Sequence, residues 1–387
     1  MSDVCWLLRV DRWLLAAAFF VILRTDGSLS AEEPTPKPPP APPSSSMVGG
    51  EPILTDEITP ELRKAVDDGI EWLAGHQNPD GSWGGRYPVA TTGLAGLSLL
   101  AGGHLPGRGK YGDRVLQAVR YFVRRAAEKQ GSDYVYFREF PQPESRMHGH
   151  GFATLFLAEA YGMIDDFGAG VSPEELRRTI QKAVHVIEHS QSKQGGWYYE
   201  PAPPSGGRND ADEGSVTVTQ IQALRAARNS GFRVDPKVIQ KAIDYMRRSA
   251  NADGGIRYSL SNGGNNSTFA LTAAGVSVMQ FLGRYDMPEL KRGLEYMMRE
   301  LGQRRGNDAV AARGGHFAYE NFYATIALWQ AGGEYWSKGF PVIRKGMLKS
   351  PRRPDASWDD GYGEHLGTAF TVLSLQVPMQ YLPIFQR

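Results

Sequence analysis

The sequence predicts an all-α fold, an α/α toroid of six helical hairpins with inner and outer helix rings. Three observations predict it: a recurring amphipathic helix, a recurring helix that is apolar nearly all round, and a glycine-rich turn carrying an aromatic residue between the two. Helices of the second kind lack the charged face that water requires, so each must be covered on every side. Alternating pairs cover them by closing into a ring or by stacking as a solenoid, and six pairs favour the closed ring.

The amphipathic helix carries a small residue, an aliphatic, a polar residue and a large apolar pair. Its copies are Gly69-Ile70-Glu71-Trp72-Leu73, Ala118-Val119-Arg120-Tyr121-Phe122, Ala183-Val184-His185-Val186-Ile187, Ala242-Ile243-Asp244-Tyr245-Met246 and Gly293-Leu294-Glu295-Tyr296-Met297. Flanking charges such as Arg124, Arg125, Arg247 and Arg248 give it a wet face, which places it in the outer ring. The apolar helix repeats a threonine near its start, at Thr92, Thr154, Thr219, Thr272, Thr325 and Thr371, and belongs in the inner ring. The turns between them read Asp80-Gly81-Ser82-Trp83, Gln194-Gly195-Gly196-Trp197, Asp253-Gly254-Gly255-Ile256, Gly314-Gly315-His316-Phe317 and Ser357-Trp358. Glycine ends the outer helix at φ > 0, and the aromatic covers the junction between hairpins.

Ahead of these repeats the chain changes character. Arg9 and Arg12 precede an apolar run, Trp13 to Leu23, followed by the small residues Ser28, Ser30 and Ala31, which is the grammar of a signal peptide over residues 1–31. The run is shorter than the roughly 20 residues that span a bilayer, so no transmembrane helix is expected in the mature chain. Residues 32–56 form a Pro-rich linker, and 57–387 the toroid. The expected location is the bacterial periplasm or cell envelope, with a membrane tether if the leader is retained.

Composition narrows the function classes. With 43 Lys plus Arg against 42 Asp plus Glu, the net charge of +1 gives no field for nucleic acid. The single cysteine, Cys5, lies in the leader, so the mature chain has no thiol and folds without disulfides.

The segment Gln77-Asn78-Pro79-Asp80-Gly81-Ser82-Trp83 resembles the Q-x-x-D-G-S-W element of the squalene-cyclase and prenyltransferase repeat. His148-Gly149-His150-Gly151-Phe152-Ala153-Thr154, Gly196-Trp197-Tyr198-Tyr199-Glu200-Pro201 and Gly332-Gly333-Glu334-Tyr335-Trp336 resemble an exported bacterial branch of that repeat family, whose function is unknown. The resemblance covers roughly residues 57 to 387 and implies a terpene cyclase-like toroid. Related toroids include zinc protein prenyltransferases and macroglobulin thioester domains. Both need a cysteine, and none follows Cys5. Neither a metal nor another cofactor is expected.

Asp210-Ala211-Asp212-Glu213, ahead of the third inner helix, is similar to the D-x-D-D motif of class II terpene cyclases. The resemblance makes Asp212 the proton donor and Asp210 and Glu213 the neighbours that raise its pKa. Glu213 and Gly214 depart from that motif, and the same residues suit an N-terminal helix cap, the more frequent use of such acids. His185-Val186-Ile187-Glu188-His189 matches a zinc-protease pattern, but it falls on the wet face of an outer helix.

In a six-hairpin ring the inner helices run parallel, so their N-termini meet at one rim. That rim is expected to gather Thr91, His148, His150, Asp212, Ser215, Asn266, His316, Tyr319, Glu320, Glu364 and His365, as a ligand site or as caps. Trp197, Tyr198 and Tyr199 are further candidates to line a cavity. Three readings follow: an envelope binding module for an apolar or extended ligand (isoprenoid-like or a peptide), an isoprenoid cyclase using Asp212, and a carbohydrate-active toroid using the rim residues.

Overall fold

The computed structural model describes residues 57–386 except 129–132, 141–145, 164–169, 204–209, 264, 305–315 and 351. The chain divides into two compact units after Pro52, and every described residue belongs to the second. The leader, the linker and the Gly314-Gly315 turn lie outside the described residues.

Twelve α-helices make up the described domain. The odd-numbered ones are α1 (Pro60–Gly75), α3 (Gly112–Ala127), α5 (Pro173–His189), α7 (Pro236–Ser249), α9 (Pro288–Arg304) and α11 (Gly333–Lys349). Each buries one stripe, as α7 does with Val238, Ala242, Ile243, Tyr245 and Met246. Four open on proline, whose fixed φ suits the first helical turn and whose missing N–H costs nothing there. Thr59, Ser172 and Asp235 cap three of these starts with a side-chain oxygen.

The even-numbered helices are α2 (Pro88–Ala101), α4 (Arg146–Tyr161), α6 (Gly214–Asn229), α8 (Phe269–Phe281), α10 (Phe317–Ala331) and α12 (Glu364–Gln376). They are buried along almost their whole length, packing each on the next, and α12 packs back on α2. The ring is closed, as the sequence predicts. Glycine lets inner helices approach closely: a Cβ on Gly93 would sit 2.7 Å from the Phe152 carbonyl oxygen. At the seam the Trp72 indole donates to Asp355 (3.0 Å) and Arg352 pairs with Asp68 (3.1 Å), tying the last turn to the first helix. Short 3-10 turns at Val377–Met379 and Pro383–Phe385 complete the chain, with the Trp329 indole donating to the Phe385 carbonyl.

Each turn is clasped in a repeated way. The backbone N–H of the turn residue donates to a hydroxyl on the following inner helix: Trp83 to Thr92, Trp197 to Thr217, Ile256 to Thr272 and Trp358 to Thr368. The indoles of Trp83, Trp197 and Trp358 donate to carbonyls of the preceding outer helix. In the third and sixth repeats the clasping hydroxyl is that of Thr217 and of Thr368, not the recurring Thr219 and Thr371. In the second repeat His150 takes it, its Nδ1 accepting from Phe137 N–H at 3.2 Å.

Candidate functional site

Because the inner helices are parallel, the N-terminal ends of all six converge on one cavity of about 380 Å³. Ala90, His148, Ser215, Leu271, Tyr319 and Leu366 represent α2, α4, α6, α8, α10 and α12 in its wall. Phe152 and Phe370 add an apolar lining, and Tyr87, Tyr199, Tyr258 and Tyr362 bring aromatic rings with polar tips. No lysine or arginine is among the lining residues, whereas Glu139, Glu213 and Asp360 are. The free N–H groups that make helix N-termini attract anions are met here by the protein's own carboxylates.

Glu213 caps α6. Its carboxylate accepts from Ser215 N–H (3.0 Å), Val216 N–H (2.7 Å) and the Ser215 hydroxyl (2.6 Å). Burial pushes its pKa up against these bonds. Glu139, 2% exposed, reaches across from the connection between α3 and α4 to cap α2 through Val89 N–H (2.9 Å) and Ala90 N–H (2.6 Å). Its pKa rises to about 7, burial outweighing the two N–H donors. Asp360 accepts from Tyr362 N–H at 3.2 Å, and its buried Oδ2 has no partner. Burial raises its pKa to about 6.

Asp212 sits elsewhere. Its carboxylate, fully buried, accepts from the Tyr245 hydroxyl (2.9 Å), Leu260 N–H (2.7 Å) and Ser261 N–H (3.0 Å), and it is not among the cavity-lining residues. It pins the loop after α7 to the start of α6. Asp210 is a surface residue paired with Lys193 at 2.9 Å. The acids therefore exchange the parts the D-x-D-D resemblance implies: Glu213 faces the cavity, while Asp212 is a junction between hairpins.

The rim candidates divide in the same manner. His148 lines the cavity, its Nε2 2.9 Å from the Ser215 hydroxyl and its buried Nδ1 without a partner. Burial lowers its pKa to about 4, so the imidazole is neutral at ordinary pH. The Tyr319 hydroxyl, beside Ser215, is buried without a hydrogen bond of proper geometry. Tyr199 lines the cavity, its hydroxyl bonded to that of Tyr258. His316 stands at the exposed edge, 3.2 Å from the Tyr362 hydroxyl. Other candidates are not part of this wall. Trp197 is a buried wedge, Tyr198 packs on Tyr199 with ring centroids 5.0 Å apart, and His150 is a clasp whose Nε2 lies 3.1 Å from the Ala183 carbonyl. His365 packs on Trp72 of α1, at 4.9 Å. Glu320 pairs with Arg304 and Glu364 with Arg353.

The zinc-protease pattern is engaged in packing. Glu188 accepts from Asp235 N–H at 2.7 Å, and His189 Nε2 lies 3.0 Å from the Pro203 carbonyl. Among the described residues, no three His, Cys, Asp or Glu side chains converge as metal ligands, and no helix is long and apolar enough to cross a membrane.

Glu139, Asp360, Tyr258 and Tyr362 escape the sequence reading. Asp359-Asp360-Gly361-Tyr362-Gly363 stands directly ahead of α12, much as Asp210-Ala211-Asp212-Glu213 stands ahead of α6, and that parallel is the signal that could find Asp360. Glu139 has none, because the turn of the second repeat lacks the glycine-aromatic signature.

No family profile matches the chain. Squalene–hopene cyclase of Alicyclobacillus acidocaldarius is 28% identical over 309 residues, covering 73% of this chain and 46% of the cyclase. The chain thus spans about half the length of that relative. Three solved structures share the fold. Cellobiose 2-epimerase of Spirochaeta thermophila matches with a TM-score of 0.58 at 13% identity, over 83% of this chain and 98% of the epimerase. The α-1,6-mannanase of Salegentibacter matches at 0.57 with 7% identity, over 81% and 98%. The type II terpene cyclase MstE of Scytonema matches at 0.55 with 14% identity, over 83% and 99%. The chain is a terpene cyclase-like α/α toroid.

Proposed function

We propose that this terpene cyclase-like toroid binds an elongated, largely apolar ligand of isoprenoid character in the cavity at the N-terminal rim of its inner helices. The observation that carries the reading is the cavity itself: one half-open space reached by all six inner helices, walled by aromatic and aliphatic side chains, with a few polar atoms left unpaired. That is the general make-up of a small-molecule site. Two similar proteins point the same way, the squalene–hopene cyclase and MstE, which is known in complex with geranylgeranyl dihydroxybenzoate. In this reading the leader exports the domain, and the ligand is met in the cell envelope.

Binding is favoured over cyclisation by the state of the two acids that the D-x-D-D resemblance singles out as donor and neighbour. A cyclising acid must offer a proton to an alkene or epoxide. Both Asp212 and Glu213 instead have their two oxygens occupied by N–H and O–H donors, an arrangement that holds a carboxylate in place.

Calorimetric titration with farnesol, mannobiose and cellobiose tests the reading. Farnesol is expected to bind the wild type, and Ala270→Trp, which fills the cavity wall, is expected to weaken it at least tenfold. Binding of a disaccharide alone, or farnesol binding indifferent to Ala270→Trp, would replace the reading with a sugar site or a surface site.

A further inference from the structure

The polar end of the cavity has a defined hydrogen-bond order. Ser215 has one hydroxyl proton and two close neighbours, Glu213 Oε2 at 2.6 Å and His148 Nε2 at 2.9 Å. Glu213 is held by two backbone N–H donors as an N-cap carboxylate, which accepts only, so the Ser215 proton goes to Glu213. His148 must then donate its Nε2 proton to Ser215 Oγ. A neutral imidazole carries one ring proton, so Nδ1 is left as a lone-pair acceptor. It is buried, and no described residue donates to it. The Tyr319 hydroxyl, next to the same serine, is unpartnered as well. Buried polar atoms left in this way are costly unless something satisfies them.

The charge around them restricts what that something is. Glu213 faces Asp212, Tyr199, Tyr258 and Tyr319, and His148 faces Tyr199 and His316. Glu139 and Asp360 share the wall, with no lysine or arginine in it. A carboxylate or diphosphate head would be desolvated beside carboxylates without a cation to pair with. A hydroxyl is neutral, donates one hydrogen bond and accepts another.

We propose that the cavity selects a ligand whose polar end is a hydroxyl group, which donates to His148 Nδ1 and accepts from Tyr319, while Ser215 and Glu213 fix the imidazole tautomer that makes this contact. His148 and Tyr319 are the ligand-touching residues, and Ser215 and Glu213 are positioning residues. The inference rests on the reading of the cavity as the ligand site.

Two measurements test it. In 15N-labelled protein without ligand, His148 should show the Nε2–H tautomer, and Glu213→Gln should disturb that preference. A predominant Nδ1–H tautomer in the wild type would overturn the assignment. In calorimetric titrations, farnesol should bind the wild type roughly tenfold more tightly than farnesyl methyl ether, which has the same oxygen but no proton to donate, and farnesyl diphosphate should bind more weakly still. His148→Phe should erase the difference between alcohol and ether. Equal affinity for alcohol and ether overturns the hydroxyl inference and leaves the cavity reading standing, whereas no binding of any of the three removes both.

Discussion

Asp212 and Asp210 stand two residues apart in the sequence and differ in every physical respect. Asp212 is buried with three donors on its carboxylate, whereas Asp210 pairs in solvent with a lysine. Asp212→Asn leaves one acceptor oxygen and turns an NH₂ toward N–H donors, so a loss of about 2 kcal/mol is expected in chemical denaturation. Asp210→Asn should change stability by less than about 1 kcal/mol. Such a difference belongs to tertiary contacts from Tyr245 and the Leu260-Ser261 loop, which no motif in the neighbourhood of Asp212 encodes. His148 gives a second residue-scale test. Its folded pKa, about 4, lies below the ordinary imidazole value of 6.5. The unfolded chain therefore binds the proton more readily between these values, so the contribution is complete above about pH 6.5 and is lost as pH falls toward 4. His148→Phe should flatten the stability profile across that interval, by up to about 3 kcal/mol in total, and an unchanged slope would contradict the burial of the ring.

At the scale of the element, the turn between outer and inner helix is the unit that repeats most faithfully. Gly81, Gly195 and Gly254 have φ of 88°, 95° and 92°, and each lies against a backbone carbonyl of the next outer helix. A Cβ on Gly195 would fall 2.3 Å from the Lys241 oxygen, so both conformation and space demand glycine. Gly195→Ala is expected to destabilise by about 3 kcal/mol or more, because positive φ and a rigid backbone clash add. Gly231→Ala, at φ 84° with open space around it, should lose only about 1 kcal/mol. Equal effects in thermal melts would mean that the close approach does not constrain the turn. These elements are legible because their signal is local: glycine for the turn, tryptophan for the wedge, a threonine for the clasp. Buried inner helices carry several threonines, and only the geometry of the turn tells which hydroxyl meets the amide, Thr217 rather than Thr219 and Thr368 rather than Thr371. In the second repeat the amide is met by an imidazole, which sequence similarity among the other turns conceals.

For the whole molecule, alternation of amphipathic and apolar helices requires a ring or a solenoid, since a helix without a polar face must be surrounded, and the packing of α12 on α2 makes it the ring that six pairs favour. What alternation does not specify is the space left at the rim. That space depends on which side chains lean inward from the connections, and Glu139 and Asp360 come from connections without a repeat signature. In this ring the helices hold the shape, and the connections ahead of the inner helices bring much of the chemistry to the cavity. They supply tyrosines and three acids, and α4 itself adds the neutral His148 beside an apolar wall. The most direct test of the central claim is photolabelling of the wild-type protein with a diazirine-bearing farnesol analogue, followed by peptide mass mapping. The account expects the label on rim peptides that contain Tyr199, Leu271, Tyr319 or Phe370, with competition by unlabelled farnesol. Label confined to outer-helix peptides, or label that farnesol does not displace, would contradict it.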